Sequence, residues 1–284
     1  MNKERTIITA VRGQRTHDGA GVSLVRVLGN ETVQDFDPIL MLDSFDTTDP
    51  KDFEAGFPTH PHRGIETVTF VAQGSIRHRD NLGNEATVGN GEAQWLTAGS
   101  GAFHSEFMSA EKRLLGVQLW LNLPQKDKMS APAYHSIRNE DIKEFNFEGG
   151  KLRLLAGEYK GQKGYQGKYL PLDYYDIFLE PHATLELNIL FESSVMAFTL
   201  QGEVKVGGAT VDEKTAVKLS EGDKLTLSAG DKGAEVLVMI SKALNEPVAW
   251  YGPIVMNTKE EIRTAVQELN NGTFVKVKTD YVDR

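Results

Sequence analysis

The chain reads as a succession of short apolar runs separated by turn-forming residues. Segments rich in Val, Leu, Ile, Phe and Thr occur at 66–71, 93–97, 114–121, 176–179, 183–191, 195–200, 214–219 and 235–241, between clusters of Gly, Asn and Asp. Their composition and even spacing predict an all-β protein, a sandwich or small barrel. One segment has a different period. Thr258-Lys-Glu-Glu261 reads as a capping box, and Ile262, Ala265, Val266 and Leu269 follow at helical spacing, with Gly272 just beyond. This predicts a helix over 259–271, an amphipathic lid on a β-domain.

The strand pattern contains an internal repeat. Phe70-Val-Ala-Gln73-Gly74 resembles Phe198-Thr-Leu-Gln201-Gly202, and 91–99 resembles 222–230, at offsets of 128 and 131 positions. Two similar β-domains in tandem are expected, over 1–135 and 150–284. The polar stretch 132–150 is the expected boundary, and Gly149-Gly150 precedes a new apolar run at 152–155.

Composition narrows the function classes. The 284 residues give ample length for two cores. A net charge of −9, with only short basic clusters such as 76–79, argues against nucleic-acid binding. The chain has no cysteine, so disulfides and thiol catalysis are excluded and any metal must take N and O ligands. No run approaches the roughly 20 apolar residues that cross a bilayer, and the N-terminus has no signal-peptide core. A cytoplasmic protein is expected, with neither membrane nor nucleic acid as a partner.

Candidate chemistry is concentrated in the first half. Four of the seven histidines lie between positions 60 and 104. His60-Pro61-His62 and His104-Ser105-Glu106 each place two ligand-type side chains two residues apart. On a strand, such pairs point to one face. Three imidazoles and one carboxylate suit Fe(II), Mn(II), Ni(II), Cu(II) or Zn(II). Pro61 lacks a donor, which places His60 near a strand entrance or barrel rim. Gly99-Ser-Gly101 reads as a tight turn that aims His104. His78 and Asp80 read as a pocket wall or a solvated hairpin end. Glu66 reads as a further ligand, an acceptor for one, or a partner for Arg63. His17, His135 and His182 have no partner spacing. By the two offsets, Asn188 and Leu190 correspond to His60 and His62, and Glu235 and Leu237 to His104 and Glu106, so the second copy lacks the set. Hydrolase and phosphate-loop motifs are absent from the sequence.

At these residues the sequence resembles a cupin, and within the cupins a pirin. Gly56-Phe-Pro-Thr-His60-Pro-His62-Arg-Gly-Ile-Glu66 matches the first cupin motif with a shortened spacer. The second runs from Gly91 to His104, with Thr97-Ala-Gly99 where many cupins carry Pro-x-Gly. Both departures are similar to those of pirins, as are 94–106 and 246–258. The resemblance implies a bicupin: two jelly-roll-like antiparallel barrels face to face, with metal in the N-terminal one alone. It implies one divalent ion, iron foremost, with Mn, Ni, Cu, Co or Zn as alternatives. The ligands would be His60, His62, His104 and Glu106, and Glu66 would not be one.

Two functions follow from the resemblance. The first is a metal-dependent dioxygenase that cleaves a flavonol such as quercetin with O2, in which Glu106 is both ligand and proton acceptor. Phe57, Phe70, Trp95, Phe103 and Phe107 would be candidate walls for the flat substrate. The second is an iron-dependent redox-sensing regulator that binds a transcription factor or metabolic enzyme as a protein partner, without turnover.

Overall fold

A computed structural model describes residues 3–277. The chain is built mainly of antiparallel strands, with one α-helix among the described residues, Lys259–Asn270. The helix begins at Thr258, whose side chain accepts from the Glu261 backbone while Glu261 reaches back to the Thr258 N–H, the expected capping box.

The strands form two compact units, and separated stretches of chain thread each one. The first unit holds residues 15–33, 39–138 and 244–277; the second holds 3–14, 34–38 and 139–243. The contiguous stretches expected from the sequence are therefore corrected at both ends. Helix Lys259–Asn270 belongs to the first unit, because Ala265, Ile262 and Leu269 pack with Phe103, Ile254, Met256 and Phe274. The leading strand Ile7–Arg12 pairs with Thr215–Leu219 in the second unit.

The first unit contains two main sheets. One runs in the order Ala133–Ile137, Glu92–Thr97, Ile65–Gln73, Leu114–Asn122, Ile39–Thr47, Val22–Leu28, Gln14–Asp18. The other runs Phe57–His62, Ala102–Ser109, Ser75–Asp80, Glu85–Val88. Inward-facing positions alternate along these strands, and their chemistry changes along each strand. Met41 lies in one apolar cluster and Phe45 in another, with Asp43 between them. Ile65 and Val71 flank Thr69, Leu114 and Trp120 flank Gln118, and Ala102 and Met108 flank His104 and Glu106 in the same way. A buried polar band thus divides the core of this unit.

The second unit is one large sheet in the order Ile7–Arg12, Thr215–Leu219, Ser194–Val206, Lys224–Ser241, Leu172–Leu179, Gly150–Ala156, Lys143–Phe147, with two short strands paired at its side. Its core is continuous: Leu152, Leu154, Ile177, Val195, Val217, Val236 and Val238 are all fully buried in one cluster. Each such side chain contributes about 1.5–3 kcal/mol of burial free energy.

A buried lysine ties the C-terminal segment to the first unit. Lys128 Nζ donates to Gly64 O at 2.8 Å, Asn122 Oδ1 at 2.6 Å and Val255 O at 3.0 Å. Gly64 has φ +77°, and a Cβ there would lie 1.9 Å from Val255 O, so only glycine permits this approach.

Candidate metal centre

Strand Phe57–His62 lies at the edge of its sheet, which is where Pro58 and Pro61 are tolerated. It pairs with Ala102–Ser109 so that His60 lies opposite His104, and the register shifts between His104 and Glu106. Bulges of this kind re-aim side chains beside functional sites. The turn before His104 needs both glycines. A Cβ on Gly99 would lie 2.2 Å from Ser130 O, and one on Gly101 would lie 2.9 Å from Phe274 O. Arg63, buried, donates to Ser100 O at 2.7 Å and Phe274 O at 2.8 Å, fixing that turn behind His62.

The rings of His60, His62 and His104 form a triangle, with centroids 4.8, 4.4 and 5.0 Å apart. Their hydrogen bonds fix the tautomers. His60 Nδ1 lies 2.8 Å from Pro58 O, and His62 Nδ1 lies 3.1 Å from Pro253 O. A carbonyl oxygen only accepts, so both Nδ1 atoms carry the proton and both Nε2 atoms present lone pairs. Those two Nε2 atoms are 3.1 Å apart. Facing lone pairs at that distance repel unless a cation lies between them.

His104 completes the set. Its Nδ1 lies 3.4 Å from His78 Nδ1, and His78 Nε2 donates to Asp80 Oδ2 at 2.9 Å. This chain directs His104 Nε2 away from His78, and that buried atom has no hydrogen-bond partner. Burial pulls the His62 imidazole down to about 3, with the His60 ring adding to the effect. Burial likewise lowers His104 well below the ordinary histidine value, with His62, His60 and His78 contributing. Neutral imidazole is the metal-ligating form. The donor set and the partnerless nitrogen thus fit a divalent ion.

Glu106 is held one step away. His60, His62 and His104 form one group of ligand atoms within 4.8 Å of one another, and His78, His104 and Glu106 form a second. His104 is common to both. Gln94 Nε2 donates to Glu106 Oε1 at 2.5 Å, and Gln118 Nε2 donates to Oε2 at 2.7 Å. Tyr134 O–H donates to Gln94 Oε1 at 3.1 Å, which turns the Gln94 amide N–H groups towards Glu106. Thr69 Oγ1 also reaches Oε1 at 3.5 Å, so the lone-pair capacity left on Glu106 is on Oε2.

The other sequence candidates separate clearly. Glu66 accepts from Thr97 Oγ1 at 2.6 Å and belongs to neither ligand group. Thr69 reaches Glu106, and Glu66 three residues earlier points to the opposite face of the strand. His78 and Asp80 are a buried pair, not a solvated hairpin end. Among the suggested aromatic walls, Phe57 lines the cavity beside the histidines; Phe103 and Phe107 line a separate depression, and Phe70 and Trp95 are buried elsewhere. His17, His135 and His182 are exposed. Glu235 and Leu237 alternate with the core residues Val236 and Val238, so they point away from the second unit's core. Leu190 is exposed. Both ligand groups found among the described residues lie in the first unit.

Beside His60 and His62 opens a cavity of about 680 Å³, walled by Met41, Phe57, Trp120 and Trp250, with Gln118 and Pro253 also exposed to it. The ring centroids of Trp120 lie 4.9 Å from His62 and 5.6 Å from Trp250. Sequence reasoning missed Trp250 and Pro253, which lie far from the histidines along the chain. Gln118 left a signal, because it interrupts the apolar run Leu114–Asn122 at a buried position.

Comparison with known proteins bears on the family and the fold. The Pirin family model matches residues 21–121, and the Pirin C-terminal cupin domain model matches 174–275. A pirin-like protein of Caulobacter vibrioides is 39% identical over 274 residues, covering 95% of this chain and 99% of the relative. A Pseudomonas aeruginosa protein with the provisional name quercetin 2,3-dioxygenase is 39% identical over 284 residues, covering 96% and 99%. A solved structure, quercetin 2,3-dioxygenase from Acinetobacter baumannii, aligns with a TM-score of 0.89 at 34% identity, covering 96% of this chain and 99% of its own. The chain belongs to the pirin family, with two cupin domains.

Proposed function

We propose that the protein is a metal-dependent dioxygenase that cleaves a flavonol such as quercetin, with Fe(II) held by the Nε2 atoms of His60, His62 and His104 and by the Glu106 carboxylate. The observation that carries this reading is the cavity beside His60 and His62, walled by Trp120, Trp250, Phe57 and Met41. A structural metal is enclosed by its ligands and needs no such space, whereas a catalytic one keeps an open position. A redox-sensing regulator needs the ligands without the cavity, so the cavity favours turnover.

The chain's own residues have distinct tasks. Pro58 O and Pro253 O fix the His60 and His62 tautomers, and this orientation presents both Nε2 atoms to one point. Gln94 and Gln118 hold both Glu106 oxygens and so aim the carboxylate. Trp120 and Trp250 give a flat substrate an apolar, water-excluding wall. Glu106 accepts the proton of the substrate's 3-hydroxyl. A divalent ion held by these residues would supply Lewis acidity that favours loss of that proton. The test is aerobic incubation of Fe(II)-loaded protein with quercetin. Loss of the flavonol absorption band together with carbon monoxide release is expected. An unchanged spectrum with stoichiometric bound iron contradicts the reading.

A further inference from the structure

A fixed cluster of Asp18, Arg26 and Asp43 lines the same cavity. Arg26 Nε donates to Asp43 Oδ1 at 2.9 Å and Nη2 donates to Asp43 Oδ2 at 2.7 Å, a bidentate pair that matches the buried Asp43 charge. The same Nη2 donates to Asp18 Oδ2 at 2.6 Å. Asp18 is different from Asp43: its side chain is 48% exposed, so a ligand can reach it.

Asp18 is also held in place. It precedes a turn in which Gly19 N donates to Asp18 Oδ1 at 2.7 Å and Gly21 N donates to Asp18 O at 3.1 Å. Ala20 N donates to Gly56 O at 3.2 Å, anchoring the turn on the segment that leads into His60. Gly19 has φ +58°, and a Cβ there would lie 2.5 Å from Phe57 Cδ1 and 2.8 Å from Gly56 O. The absence of a side chain at Gly19 lets the turn lie directly on the cavity wall.

The Asp18 carboxylate therefore accepts one internal hydrogen bond on each oxygen and keeps one acceptor position on each. Two acceptor positions side by side match two adjacent O–H donors. Neither Arg26 nor the apolar walls offer an acceptor of that kind. We propose that Asp18 reads hydroxyl groups on the flavonol's pendant ring, and so makes the cavity selective for aromatics with adjacent hydroxyls on that ring. This rests on the flavonol reading above and adds the residue that chooses among flavonols.

The test is anaerobic isothermal titration calorimetry on Fe(II)-loaded protein, with quercetin and galangin as probes. Galangin keeps quercetin's fused ring hydroxyls and lacks those on the pendant ring. Charge-assisted hydrogen bonds of this type predict that the protein binds quercetin about tenfold more tightly than galangin. Asp18→Ala is expected to collapse that ratio to about one, and Asp18→Asn, which keeps a neutral acceptor, to leave part of it. Galangin titrated into each variant reports whether the cavity is intact. Equal affinity for the two ligands, or a ratio that survives Asp18→Ala, overturns the role of Asp18 and leaves the flavonol reading standing. Failure of the unaltered protein to bind either ligand overturns both.

Discussion

The two units are built on the same strand alternation and fill their interiors differently. In the second unit one face of the sheet carries an apolar cluster with Leu154, Ile177, Val217, Val236 and Val238, while Arg153, Asp176 and Glu235 are buried on alternate positions of the same strands. In the first unit the same alternation delivers Asp43, Thr69, Gln94, His104, Glu106 and Gln118 to buried sites between apolar clusters. Burying such groups costs free energy unless each is paired. The apolar cluster of the second unit closes with no polar side chain inside it, so strand alternation alone does not require a polar band between apolar clusters. The tolerance of the first unit for that band comes from its pairing: Glu106 with two amides, His104 with His78, His78 with Asp80.

The comparison is most strongly broken at the histidines. His104→Ala removes the buried nitrogen that has no other partner, and metal affinity is expected to fall by at least about 100-fold. Metal content after dialysis against a weak chelator checks this, and retention of one equivalent would refute the assignment.

A truncation in the other unit sharpens the contrast. Ile177 is fully buried in the aliphatic core. Ile177→Ala is expected to cost about 3 kcal/mol of stability and to leave metal affinity unchanged. Denaturant titration and calorimetry with the metal separate the two effects. A parallel loss of metal binding would deny the units their distinct roles.

Gln118→Ala removes one of the two amides that hold Glu106. Metal affinity is expected to fall about 10-fold to 100-fold while the fold persists. Far-ultraviolet circular dichroism alongside metal titration reads both, and unchanged affinity would mean that Glu106 needs no orienting partner.

The smallest effect is a pH dependence at Lys128. Burial pulls this ammonium down to about 7, against the pull of Glu246 and Glu261. An unfolded lysine titrates near about 10.4. Between those values the unfolded chain holds a proton that the folded protein has released, so stability rises as pH climbs from 7 towards 10. Below pH 7 both states are protonated and the contribution is constant. Thermal melts from pH 6 to 9 should show this rise, and Lys128→Met should flatten it.

The histidine triangle was legible in the sequence because strand period two is visible in His-x-His, and His104 of the His-x-Glu pair falls beside His60 and His62. It carried the helix through Thr258 and Glu261. The repeat was legible, whereas its register was not. The strand Ser194–Val206 has register shifts at Thr199/Gln201 and Gly202/Val204 against Lys224–Ser241. A bulge moves the following residues to the other face, and a fixed offset therefore assigned Glu235 and Leu237 to an interior that Val236 and Val238 occupy. The C-terminal segment escaped for another reason. Pro253 reaches His62 across 191 positions, a contact with no local pattern to announce it. Asp18 escaped because a carboxylate in an Asp-Gly turn reads as an ordinary hairpin end.

The central claim is that the histidine triangle and its cavity form a dioxygenase site. Oxygen uptake by anaerobically Fe(II)-loaded protein on adding quercetin tests it most directly, with His60→Ala as control. The account predicts one O2 consumed per quercetin, and uptake abolished in the variant. Uptake no greater than that of the variant, with one iron bound per chain, would contradict it.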